Sequence, residues 1–174
     1  MNLDIPAQIS FQQALNLTQS LLEQIINEQL SEEQVQQAVQ NIVNHRNGAR
    51  GFFVVYLTNE YSLSESFCKA IILALKSAPE IVSELQTKNL AMSTATAIYH
   101  ERNNDHEIAQ NSRFTQQKTS KIIKELALPE LNQQLQNLYQ SVVNGEGSYQ
   151  EFLERYNYDA EQKQAIKQVI ENLY

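Results

Sequence analysis

The sequence has no tryptophan, one cysteine, three prolines and four glycines among its 174 residues. Each scarcity excludes something. A lone Cys68 rules out a disulfide within the chain, and with no secretory leader expected it fits a reducing compartment. So few turn-forming residues do not suffice for the frequent turns of an all-β sandwich, and they fit helices joined by short loops. Charged residues make up only 19%, with Gln and Asn keeping the surface polar instead. Long apolar runs are missing too. FFVVYL and AIILAL fall far short of the ~20 residues needed to span a bilayer. The first ten residues, MNLDIPAQIS, carry an acid and no apolar stretch, unlike a secretory signal. The expectation is a cytoplasmic protein with no membrane insertion.

What is present describes a globular chain. Hydrophobic residues reach 42%, and a chain of this length buries roughly 70% of its unfolded surface, enough for a core without staples. Twenty acids against thirteen bases give a formal charge of −7. That balance repels nucleic acid and anionic membrane, unless a local basic patch overrides it.

Capping signals recur along the chain. Ser10 with Gln13, Ser31 with Gln34, Ser62 with Glu65, Ser148 with Glu151 and Asp159 with Gln162 each read as a capping box ahead of an amphipathic stripe. Pro79 and Pro129 suit the first position of a helix. The predicted fold is all-α, an irregular bundle of about seven to nine helices. NGEG at 144–147 is the clearest loop. It sets residues 1–145, a main bundle, apart from residues 146–174, a two-helix unit packed on it within one globular domain.

Residues 44–59, NHRNGARGFFVVYLTN, form the segment the rest is organised around. Asn47-Gly48 is expected to end the second helix, with Gly48 in a left-handed position after it. The apolar run 52–57 then reads as a short buried helix starting near Gly48 with Asn47 as N-cap. The competing reading is an edge strand, and since no partner strand is visible in the chain it demands a homodimer.

Three constellations carry charge worth weighing. His45, Arg46 and Arg50 flank a helix start, where two guanidinium groups suit a phosphate or carboxylate. The bland reading makes them the cationic end of helix two, favoured by its macrodipole. His100 and Arg102 stand in YHERNNDHE at 99–107. His100 and His106 lie six apart, about 240° around a helix, and do not share a metal on one face. Arg113, Lys118, Lys121 and Lys124 make the most basic stretch and read as a solvated face. None of GxxxxGK[ST], GxGxxG, GxSxG, HExxH or paired CxxC occurs, so nothing calls for a cofactor, a metal or a catalytic residue.

The segments NGARGFFVVYLTN and KNLAMSTATAIYHERN, with the ending EFLERYNYDAEQKQAI, resemble a group of uncharacterised cyanobacterial proteins. The resemblance implies a cellular setting and transfers no activity. The sequence therefore points to a non-enzymatic interaction or regulatory protein acting through protein–protein contacts. The alternative is a domain that binds a small anion through Arg46 and Arg50 with His100 or Arg102.

Overall fold

The computed structural model describes residues 9–174. Nine α-helices and no strand occupy them: α1 (Phe11–Ile26), α2 (Glu32–Val43), α3 (Arg46–Thr58), α4 (Glu65–Leu75), α5 (Pro79–Arg102), α6 (His106–Leu126), α7 (Pro129–Asn144), α8 (Gln150–Arg155) and α9 (Ala160–Glu171). This is the all-α architecture the capping pattern predicts. The reading of the extreme N-terminus lies outside the described residues. Contacts gather the chain into two compact units, the first ending at Leu85 and the second running Gln86–Tyr174.

In the first unit, Ser10 and Ser31 form reciprocal capping boxes with Gln13 and Gln34, each satisfying two backbone N–H groups that a helix start leaves open. α3 packs on α1 and α2, and α2 packs on α4. Phe52, Phe53 and Leu57 of α3 are buried, as are Leu21 and Leu22 of α1 and Ile42 of α2. The run 52–57 is thus helical and, except for the half-exposed Val54, buried within its own chain, so the edge strand does not form and the dimer argued from it loses its motive.

Three local expectations are corrected here. α3 starts at Arg46 with His45, not Asn47, as its N-cap. Helix two ends earlier, at Val43, and Gly48 is helical rather than left-handed. Gly48 is needed for space: a Cβ there would lie 1.9 Å from the Ile42 carbonyl oxygen. Gly51 answers to the same demand, since its Cβ would lie 2.5 Å from the Ala14 Cβ and 3.0 Å from the α1 backbone. The glycines that look like breakers instead let α3 press against α1 and α2. In α4 the cap is Ser64, whose hydroxyl accepts from the Phe67 N–H, rather than Ser62.

In the second unit, α5 ends at Arg102 and a turn through left-handed Asn104 (φ 62°) leads into α6. Gly145 (φ 73°) closes α7, as NGEG leads one to expect. α8 begins after Tyr149 with no side-chain cap, so Ser148 does not act as predicted. α9 opens on the predicted Asp159–Gln162 box and packs on α7. The buried Gln162 amide of α9 donates to the Ala95 carbonyl of α5 at 2.9 Å.

Candidate functional site

Arg46 and Arg50 share a face at the start of α3, one turn apart. They are drawn to different elements. The Arg46 guanidinium donates twice to the Glu84 carboxylate on α5, at 2.8 and 2.6 Å. This planar fork-to-fork pair is the geometry arginine favours. The hydrogen bond to Glu84, then its charge, hold the Arg46 pKa above its ordinary value. Arg50 instead lays its guanidinium carbon 5.2 Å from the centre of the Phe11 ring on α1, a cation–π contact. His45 precedes them as a half-buried N-cap whose side chain makes no capping bond.

His100 and Arg102 lie in the other unit, in the last turn of α5. The turn at Asn104 brings Asp105 back, so that its carboxylate lies 3.2 Å from His100 Nδ1. Arg102 donates to both Asp159 and Glu161, which open α9. The Arg102 hydrogen bond, aided by the Gln162 backbone N–H, pulls the Asp159 pKa down to about 2. A cation at the end of α5 and acids at the start of α9 also suit the two helix dipoles. This cluster fastens α9 to α5.

Of the five residues singled out in the sequence, His45, Arg46 and Arg50 belong to the first unit and His100 and Arg102 to the second. Arg46 and Arg102 hold carboxylates of their own unit, so an incoming anion must displace a carboxylate at either. The basic stretch on α6 is engaged as well. Arg113 pairs with Glu101, Lys121 reaches Glu125 at 3.8 Å, and the Lys118 ammonium lies 5.7 Å from the Phe114 ring centre. No three His, Cys, Asp or Glu among the described residues are grouped to hold a metal ion. Cys68 is half-buried on α4.

Two features escaped the sequence reading. Phe152, Tyr156 and Tyr158 form an aromatic cluster, with Tyr156 and Tyr158 stacked at 5.7 Å and the Lys88 ammonium 5.8 Å from the Phe152 ring centre. Burial, then the neighbouring Tyr156, pushes the Tyr158 phenol up. The i, i+4 spacing of Phe152 and Tyr156 was the available signal. The second feature is a groove of about 470 Å³ beside α2 and α4. Its signal was Leu73, which falls outside the apolar stripe of α4.

A family profile described as "Uncharacterised conserved protein UCP020893" matches residues 10–173, and the chain belongs to that family. No curated protein and no solved structure matches it.

Proposed function

We propose that this member of the family works by contact with another protein, as a non-enzymatic interaction or regulatory component. One observation carries the reading. Arg46 and Arg102, the cations a small-anion site needs most, are each neutralised inside their own unit, which leaves the surface rather than a charged pocket as the place where recognition happens. The setting that goes with it is the cytoplasm of a cyanobacterial cell, on the resemblance of residues 47–59 and 88–103. Among the described residues no helix is long and apolar enough to cross a membrane. Cross-linking and affinity purification from the native source tests the proposal. A partner recovered at fixed stoichiometry is expected. Turnover of a metabolite with no reproducible partner would overturn it.

Arg50 favours a second reading. It is exposed, faces Phe11, and pairs with no carboxylate among the described residues. An anion bound there gains charge-assisted hydrogen bonds without displacing an existing pair. Thermal-shift measurements with inorganic phosphate, nucleotides and organic acids test it. A rise in Tm that Arg50→Ala removes is expected, and no rise with any of them ends this reading.

A further inference from the structure

In the second unit α7 and α9 pack together, and residues of both line a cleft of about 500 Å³. That volume lies within the roughly 300–1,000 Å³ usual for small-molecule sites. α7 supplies Gln136, Tyr139 and Gln140, the i, i+3 and i+4 positions of one face. α9 supplies Ile170 and Glu171, and Tyr174, just past its end, completes the lining. Ile170 is buried and Tyr139 half-buried, while the other four are exposed. The Tyr139 hydroxyl donates to Glu171 Oε1 at 3.0 Å, and the Lys167 ammonium lies 3.8 Å from the same oxygen. Both contacts fall on Oε1, so the carboxylate is oriented while Oε2 remains an acceptor. Of the four glutamines of α7, Gln133 bonds to Asn137 and Gln134 to Tyr149. The two that line the cleft, Gln136 and Gln140, bond to nothing among the described residues. Tyr174 is 76% exposed, so its ring is largely uncovered.

The mixture of donors and acceptors selects the ligand. An anion uses donors alone, and here it meets a carboxylate with no Lys or Arg in the lining. A cation uses acceptors alone and leaves both amide NH2 groups unmet. Each glutamine amide offers two N–H donors and a carbonyl acceptor, and a sugar hydroxyl likewise donates and accepts. The negative face of a tyrosine ring suits the positively polarised C–H face of a pyranose. We infer that this cleft binds a neutral sugar. Gln136, Gln140 and Glu171 Oε2 hold its hydroxyls, and the Tyr174 ring lies against its C–H face. This goes beyond the protein-contact reading and does not depend on it.

Saturation-transfer NMR on the full chain tests it. The probes are the methyl glycosides of glucose, galactose and mannose, with maltose and cellobiose. Choline and inorganic phosphate are the charged controls. Saturable transfer from at least one neutral sugar is expected, with shifts of the Gln136 and Gln140 side-chain amide signals and none from the controls. Tyr174→Ala and the pair Gln136→Ala with Gln140→Ala should each weaken binding about tenfold or more. Tyr99→Ala, at another exposed tyrosine, leaves it unchanged. These positions are exposed, so circular dichroism should show each variant folded. Sugar binding should survive Glu171→Gln, which removes the charge and keeps an acceptor. Tighter binding of the disaccharides than of the methyl glycosides assigns the cleft to a sugar chain, and equal binding to a free sugar. No saturable transfer from any neutral sugar overturns the proposal, as does binding indifferent to Tyr174→Ala. Choline binding that Glu171→Gln abolishes also overturns it and makes the cleft a cation site.

Discussion

The first unit shows surfaces that touch, and the second adds, to a buried apolar core of its own, side chains that reach. Gly48 and Gly51 in α3 lack a Cβ so that α1 and α2 can close on the α3 backbone, and Phe52 and Phe53 fill the space beyond, ring edge to ring face at 5.5 Å. In the second unit Arg102 spans from α5 to two carboxylates of α9, Gln162 sends its amide to the Ala95 carbonyl, and the Tyr149 hydroxyl meets Gln134 at 2.6 Å. Shape complementarity of the first kind stabilises through desolvation and close packing, and is lost steeply when volume changes. Reaching contacts of the second kind are individually weaker and sensitive to solvent. The difference teaches where each unit is vulnerable.

The harshest test of the contrast is Phe52→Ala. Emptying a fully buried ring site should cost about 3–5 kcal/mol, read as lost hydrogen-exchange protection in α1 and α3. Gly51→Ala follows. A methyl 2.5 Å from the Ala14 Cβ forces the helices apart, and overpacking of this kind should cost about 1–3 kcal/mol despite the better helix propensity of alanine. Adding Ala14→Gly should recover part of that loss, and strict additivity of the two changes would refute the close approach.

In the second unit the expected losses shrink. Gln162→Ala removes a buried amide that both caps α9 and bonds Ala95, a loss of about 1–3 kcal/mol, seen as faster exchange in α9. Arg46→Ala, though it lies in the first unit, cuts a reaching contact. With the Arg46 side chain 55% exposed, the cost should stay below about 1 kcal/mol, and a cost as large as that of Phe52→Ala would erase the distinction. The smallest effect is that of Asp159. Its carboxyl is pulled from 3.8 down to about 2 in the folded chain. The stability it contributes is therefore complete above pH 3.8 and lost as pH falls toward 2. Asp159→Asn should flatten the acid limb of the helicity curve in that window, more visibly at low salt.

Several elements were legible because the signal is local. Ser10–Gln13, Ser31–Gln34 and Asp159–Gln162 make their boxes within four consecutive residues, so spacing alone found them. Pro129 and Gly145 bracket α7 for equally local reasons. Gly48 differs from the expectation because a left-handed turn and a close crossing both select glycine, and only the fold of the chain back onto the Ile42 carbonyl distinguishes them. Ser62 and Ser64 both precede Glu65 with plausible spacing, and the choice between them falls to backbone geometry. At the candidate site, the helix start beside Arg46 was legible but its partner was not: Glu84 lies 38 residues away, beyond any spacing rule. Asp159 was recognised as a cap, while its bond to Arg102 is tertiary and left no trace in the local sequence.

The aromatic cluster of the second unit gives the protein lopsided optics. With no tryptophan, its near-ultraviolet absorption and emission come from eight tyrosines, of which only Tyr56 and Tyr61 belong to the first unit. Tyr156 and Tyr158, stacked 5.7 Å apart, lie close enough to exchange excitation. The chromophores therefore report chiefly on one half of the chain. An opening of α1 away from α3 reaches the emission through Tyr56 and Tyr61 alone, whereas a loosening around α8 changes both its intensity and its polarisation.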